Sequence, residues 1–188
     1  MRRLGWAFLI VILLVVLGGI LWLYNRSSAN APGISYPEVG RDHIGLNAAL
    51  GQPYNSNPPS SGAHYASPAN WRVYDYEVND KIFIHNLEHG GVWIAYRPTI
   101  SSEAKAELKA IVEEFSGSKL VMAPRSTNDA DVAAVAWTKV LKFDLAQGKL
   151  SPEQKGQVRD FYKAYKNRGP EFVPDTMPGV DPRSVQQK

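Results

Sequence analysis

The sequence contains no cysteine. That absence excludes thiolate metal sites, cysteine nucleophiles and CxxC redox chemistry. It also leaves an exported domain without disulfides, so the fold must stand on its hydrophobic core. Histidine and methionine are scarce, with four and three in 188 residues. No basic stripe with interleaved aromatics occurs. Of 21 Lys and Arg, two precede the first apolar run, leaving 19 against 18 acidic residues. A nucleic-acid footprint is therefore missing, and no nucleic-acid partner is expected.

What is present begins with one long hydrophobic run. After Arg2 and Arg3, "LGWAFLIVILLVVLGGILWLY" is uncharged from Leu4 to Tyr24. It matches the roughly 20 residues that span a bilayer core, and exceeds the usual 7–15 of a signal-peptide core. Trp22 and Tyr24 suit an interfacial belt, and the Arg pair favours a cytoplasmic N-terminus. The expectation is a single-pass membrane protein, anchored through residues 1–24, with its folded part outside the cytoplasm. The alternative is cleavage after Ala29-Asn30-Ala31, which has the small-residue pattern of a signal-peptidase site.

Residues 25–40 are small, polar and Pro/Gly-bearing, and read as a flexible stalk. A single domain over 41–172 follows, then a Pro-rich, irregular tail over 173–188. Its fold class reads as α+β, a mostly antiparallel sheet with two packed helices behind one N-terminal transmembrane helix. "WRVYDYEV" (71–78) alternates like a half-buried strand, and "KIFIH" and "VWIAY" are β-rich runs. "KLVMAP" (119–124) reads as a strand, and "DVAAVAWTKVLKFD" (131–144) as one or two more. Helices are predicted over 101–117, and from the Ser151 cap with Pro152 and Gln154 to the Gly169-Pro170 stop.

The chemistry concentrates in two places. "GQPYNSNPPSSGAHYASPAN" (51–70) holds four prolines and two glycines without apolar periodicity, and a loop of that length tends to be functional. It carries His64. "IFIHNLEHGGVWIAY" (82–96) contains His-Asn-Leu-Glu-His, and H-x-x-E-H is the signature of inverted zincins, in which a helix presents both histidines to Zn²⁺. The neighbouring residues argue against a helix. Ile82, Phe83, Ile84, Val92, Trp93 and Ile94 are β-branched or aromatic, and two glycines inside a helix cost about 2 kcal/mol relative to alanine. The pattern predicts a hairpin, with His85 ending a strand and His89 in the turn.

A metal site survives that rejection. His64, His85 and His89 can converge, and three imidazoles suit copper or zinc. Glu88 fits an acceptor for an imidazole N–H, and His43 is an optional fourth ligand. Met122 in "KLVMAPR" would add a thioether, giving a His₃Met set that prefers a copper ion, with a zinc ion as the alternative. Met177 is a second, weaker methionine candidate. Three functions stay open: metal handling or sensing; a zinc hydrolase using the same histidines with Glu88 as base; and an interaction module braced by structural histidines.

"YNSNPPSSGAHY", "FIHNLEHGGVWIAY", "VMAPR" and "VAWTKVL" together resemble the domain-of-unknown-function family 3105 over roughly residues 40–172. The resemblance implies Pro-Pro-Ser/Thr-Ser-Gly-x-His and His-Asn-Leu-Glu-His-Gly segments, often behind a membrane anchor, and maps the family's histidines onto His64, His85 and His89. A histidine ahead of the Pro-Pro loop corresponds to His43. The family name confers no activity.

Overall fold

Three polar side chains open three of the helices. In a computed structural model, which describes residues 10–19 and 31–186, Asn79 accepts a hydrogen bond from the Lys81 amide at 3.0 Å. Ser101 accepts one from Ala104 at 3.0 Å, and Ser151 one from Gln154 at 3.2 Å. Gln154 returns a bond to the Ser151 amide at 2.9 Å, completing a capping box.

Residues up to Ala31 and those from Pro32 onward fall into two separate units. In the first, residues 10–19 are helical (α1). Residues 4–9 and 20–24 of the expected span lie outside the described residues. Among the described residues, no helix is long and apolar enough to cross a membrane.

The second unit runs β1 (Ile34–Ser35), α2 (Asp80–Glu88), β2 (Val92–Tyr96), α3 (Ser102–Glu114), β3 (Leu120–Pro124), β4 (Val132–Ala136), β5 (Lys139–Phe143), α4 (Pro152–Tyr165) and α5 (Pro182–Gln186). The fold is α+β, on a five-stranded mixed sheet of order β1-β5-β4-β2-β3. Three pairings are antiparallel, and β2 and β3 are parallel, because α3 carries the chain back between them.

Both faces of the sheet are covered, and strand alternation divides the core. Val92, Ile94, Tyr96, Leu120, Met122, Val132 and Ala134 meet Leu108 and Ile111 of α3 and Val158 and Phe161 of α4. Trp93, Ala95, Val121, Ala123, Ala133 and Val135 meet Ile82, Phe83, Ile84 and Leu87 of α2. Helix α2 therefore forms a layer of its own, opposite α3 and α4.

This is the largest departure from the sequence reading. The motif expected at a strand end and hairpin turn lies on a helix. Ile82 through Glu88 are all buried, so the polar His85, Asn86 and Glu88 mark no solvent face, and the Ile82-Phe83-Ile84 triplet reads like a strand. The β-branched residues cost only tenths of a kcal/mol each in a helix. Burying Ile82, Phe83, Ile84 and Leu87 returns about 1.5–3 kcal/mol apiece, which decides the matter. The glycines do not interrupt α2 but end it. His89 is its C-cap, and Gly90 follows at φ +74°. Gly90 N–H donates to Leu87 O at 2.9 Å and Gly91 N–H to Asn86 O at 2.8 Å, the two bonds of a Schellman ending.

Residues 71–78 also differ, making one isolated bridge, Val73 to Met122, instead of a strand. Part of the expected stalk and part of the expected tail belong to the folded unit. Ile34 pairs with Val140 in the sheet, Val173 is buried, and Val180 bridges Ala69.

Candidate metal centre

The Pro-Ser-Gly loop is laid over α2 by bonds that its own composition supplies. Tyr65 N–H donates to Lys81 O at 3.1 Å, and the Asn86 side chain both donates to and accepts from Ala69, each at 2.8 Å. Gly62 turns at φ +121°, and an added Cβ there would meet the Tyr54 ring at 2.8 Å. Ile44 N–H donates to His64 O and His64 N–H to Asp42 O, which sets His43 beside His64.

All four histidines of the chain join one continuous cluster. Ring centroids lie 5.0 Å apart for His43–His64, 4.8 Å for His43–His85, 5.1 Å for His64–His85 and 4.4 Å for His85–His89. One turn of α2 brings the Nε2 atoms of His85 and His89 to 3.0 Å. Glu88, on the same helix, places Oε2 3.0 Å from His64 Nε2 and 3.6 Å from His43 Nε2.

The backbone fixes one nitrogen in each of two rings. His64 Nδ1 lies 2.7 Å from Gly62 O, and His85 Nδ1 lies 2.7 Å from Tyr65 O. A carbonyl only accepts, so both Nδ1 atoms carry hydrogen. His85 then meets His89 through Nε2, while His64 Nε2 faces Glu88 Oε2 at 3.0 Å. Histidines that hold metals are held in this way. Burial pushes His85 down to about 4, with its neighbours His89, His64 and His43 acting in the same direction against the Tyr65 bond. Burial also lowers His89, against the opposing pull of Glu171 and Glu88.

Glu171 completes the far side. Its Oε2 lies 3.2 Å from His89 Nε2, and its backbone N–H donates to Glu88 O at 3.1 Å. The segment reaches that place because two glycines permit close approach. A Cβ on Gly90 would lie 2.8 Å from Asn167 Cα, and one on Gly169 would lie 2.1 Å from Glu88 O. Lys119, buried at 1% exposure, donates from Nζ to His89 O at 2.7 Å and to Val173 O at 2.5 Å, tying the end of α2 to the same stretch.

Two sets of three ligand atoms, each within 4.8 Å of one another, result: His43, His64 and His85; and His85, His89 and Glu171. A tetrahedral ion with bonds of about 2 Å holds its ligands about 3.3 Å apart, close to the 3.0 Å and 3.2 Å edges of the second set. In that set a single proton on His89 Nε2 faces a lone pair and a carboxylate, where a cation would satisfy all three ligands. The donor atoms fit a divalent metal.

Each residue expected from the sequence has a definite place. His85 belongs to both sets, while His64 and His89 fall in different ones. The optional His43 joins His64. Met122 does not come near: it is 1% exposed in the α3–α4 core, on the face of the sheet away from α2. Its side chain follows Ile94 across the β2–β3 pair, so the thioether points away from the imidazoles. Met177 is half-exposed. The acids of α3 are engaged with cations: Glu103 with Lys149, Glu107 with Lys155, Glu113 with Lys109 and Glu114 with Arg159. Glu171 had no local signal, because "RGPEF" reads only as a helix stop.

No curated protein and no solved structure matches the chain. A family model described as "Protein of unknown function (DUF3105)" matches residues 50–176, a stretch that takes in His64, all of α2 and Glu171 and leaves out His43. With most of its length matched, the chain belongs to the DUF3105 family.

Proposed function

We propose that this protein binds one divalent first-row transition-metal ion through Nε2 of His85, Nε2 of His89 and the carboxylate of Glu171. The observation that carries this reading is the 3.0 Å approach of two imidazole nitrogens, one of them with its other nitrogen committed to Tyr65 O. A set of imidazole and carboxylate without thioether suits Cu²⁺ and Zn²⁺, and by the general affinity order Cu²⁺ binds more tightly. The role that fits is metal handling or sensing outside the cytoplasm, behind the apolar segment Leu4–Tyr24. The test is metal analysis of the full chain, purified in detergent without a His tag. One bound ion per chain, taken up again after chelation, is the expected result. No uptake on reconstitution overturns the reading. The topology is checked separately by placing a cysteine in residues 25–31 of this cysteine-free chain and labelling intact cells with an impermeant thiol reagent.

A second reading is favoured by one observation. With the motif on a helix, His85, Glu88 and His89 plus a downstream Glu171 reproduce the ligand types and base of an inverted zincin. In a zinc hydrolase the ion would activate water and Glu88 would take its proton. Glu88 is instead held at 3.0 Å from His64, and binding without turnover is the simpler use of these groups. Peptide hydrolysis by the Zn²⁺-loaded chain, lost in Glu88→Gln, would favour the enzyme.

A further inference from the structure

His85 is the one ligand common to both sets. Its Nδ1 hydrogen is held by Tyr65 O at 2.7 Å, so Nε2 offers the ring's only lone pair. One lone pair serves one metal ion at a time. We propose that the centre is a two-position metal site: an ion held by His85, His89 and Glu171 passes to His43, His64 and His85 by moving about His85, and the two positions exclude one another. The proposal rests on the metal-binding reading given above.

Three features beyond the shared ligand support it. The second position has its own prepared geometry, since Gly62 O holds His64 Nδ1 at 2.7 Å and leaves Nε2, now against Glu88 at 3.0 Å, as the atom an ion would take. Glu88 lies beside this position, 3.0 Å from His64 Nε2 and 3.6 Å from His43 Nε2, and supplies a carboxylate to balance the charge of the ion. Each position also has one member that reaches solvent. The side chains of Glu171 and His43 are 55% and 47% exposed, whereas those of His64, Glu88 and His89 are at most 8% exposed. An ion can therefore enter past one exposed ligand and leave past the other without the buried rings opening. That arrangement suits a protein that takes a metal from one partner and releases it to another.

The ligand sets differ, which makes the proposal measurable. The first position presents two nitrogens and one carboxylate, and the second presents three nitrogens with Glu88 alongside. The experiment titrates the full untagged chain in detergent with Cu²⁺, and reads stoichiometry together with the nitrogen hyperfine pattern by electron paramagnetic resonance. Wild type should bind one ion. Glu171→Gln should still bind one ion, with the three-nitrogen spectrum, and His43→Gln one ion with the two-nitrogen spectrum. The double variant should lose affinity by roughly 100-fold or more, since even an outer partner of a ligand is worth about 10–100-fold. Both substitutions are at exposed side chains, so a folded protein is expected, and circular dichroism verifies it.

Two ions in wild type would overturn the exclusion. Loss of binding in Glu171→Gln, with His43→Gln indistinguishable from wild type, would leave a single site and overturn the second position alone. No binding in wild type would remove the metal reading itself.

Discussion

Asn86 grips Ala69 from both ends of its amide, accepting from Ala69 N–H and donating to Ala69 O, each at 2.8 Å. The Asn is fully buried and sits between His85 and His89 of α2, with its side chain bonded to the loop at Ala69. It is thus a holder of the His64 loop. Asn86→Ala removes two bonds and leaves a buried N–H and C=O unpaired, which should cost about 3 kcal/mol. Thermal unfolding of the folded unit should drop by roughly 6–12 °C, at about 2–4 °C per kcal/mol. A shift below about 2 °C would show that water replaces the amide.

Met122→Leu separates the core from the metal centre. Met122 lies in the α3–α4 core, across the sheet from α2. The substitution nearly conserves volume and should cost under about 1.5 kcal/mol. Cu⁺, Cu²⁺ and Zn²⁺ affinities, measured against a competing chelator, should all match wild type. A selective fall in Cu⁺ affinity would restore the thioether as a ligand.

Where the sequence was legible, one local signal sufficed. Ser101 and Ser151 mark helix starts, and the Ser151/Gln154 capping box appears in the structure as read. Val92–Tyr96 and Leu120–Pro124 are strands because continuous apolar runs suit a sheet covered on both faces. Helix α2 was not legible, because its Ile82-Phe83-Ile84 triplet resembles a strand and its polar residues His85, Asn86 and Glu88 are buried instead of facing solvent. Two glycines look like a hairpin turn or a helix ending with equal ease, and only the bonds of Gly90 and Gly91 to Leu87 and Asn86 distinguish them. The histidines stood out by scarcity. Glu171 did not, since its place depends on a contact between residues 88 and 171 that no local pattern encodes.

Acid should weaken the metal-free protein through His85. Its ordinary value of 6.5 falls to about 4 in the fold, chiefly because burial disfavours the charged ring. Between those values the unfolded chain binds the extra proton, so stability rises with pH across the window and is lost as pH falls from about 6.5 to about 4. His89, lowered by the same burial, acts in the same direction. Urea midpoints in chelator should decline over this range, and His85→Gln should flatten the decline. An equal slope in the variant would place the acid sensitivity elsewhere.

Gly169 decides whether Glu171 reaches the site. The glycine lies against the end of α2, where a Cβ would stand 2.1 Å from Glu88 O and 2.3 Å from Gly90 N. Both are backbone atoms of the helix ending, so they cannot swing aside as a flexible side chain would. In Gly169→Ala the segment 167–171 must lift, which breaks the bond from Glu171 N–H to Glu88 O and carries the carboxylate away from His89 Nε2. The four imidazoles remain, because no histidine lies on the moved segment. The expected result is a Cu²⁺ spectrum that loses its carboxylate ligand while one ion stays bound at the His43–His64–His85 position. Gly156→Ala is the matched comparison. It sits within α4 with nothing inside 4 Å of the added Cβ, so it should stabilise the helix by roughly 0.5–1 kcal/mol and leave the metal spectrum unchanged. If Gly169→Ala keeps the wild-type spectrum, Glu171 does not coordinate from this segment, and the ligands of the ion are imidazoles alone.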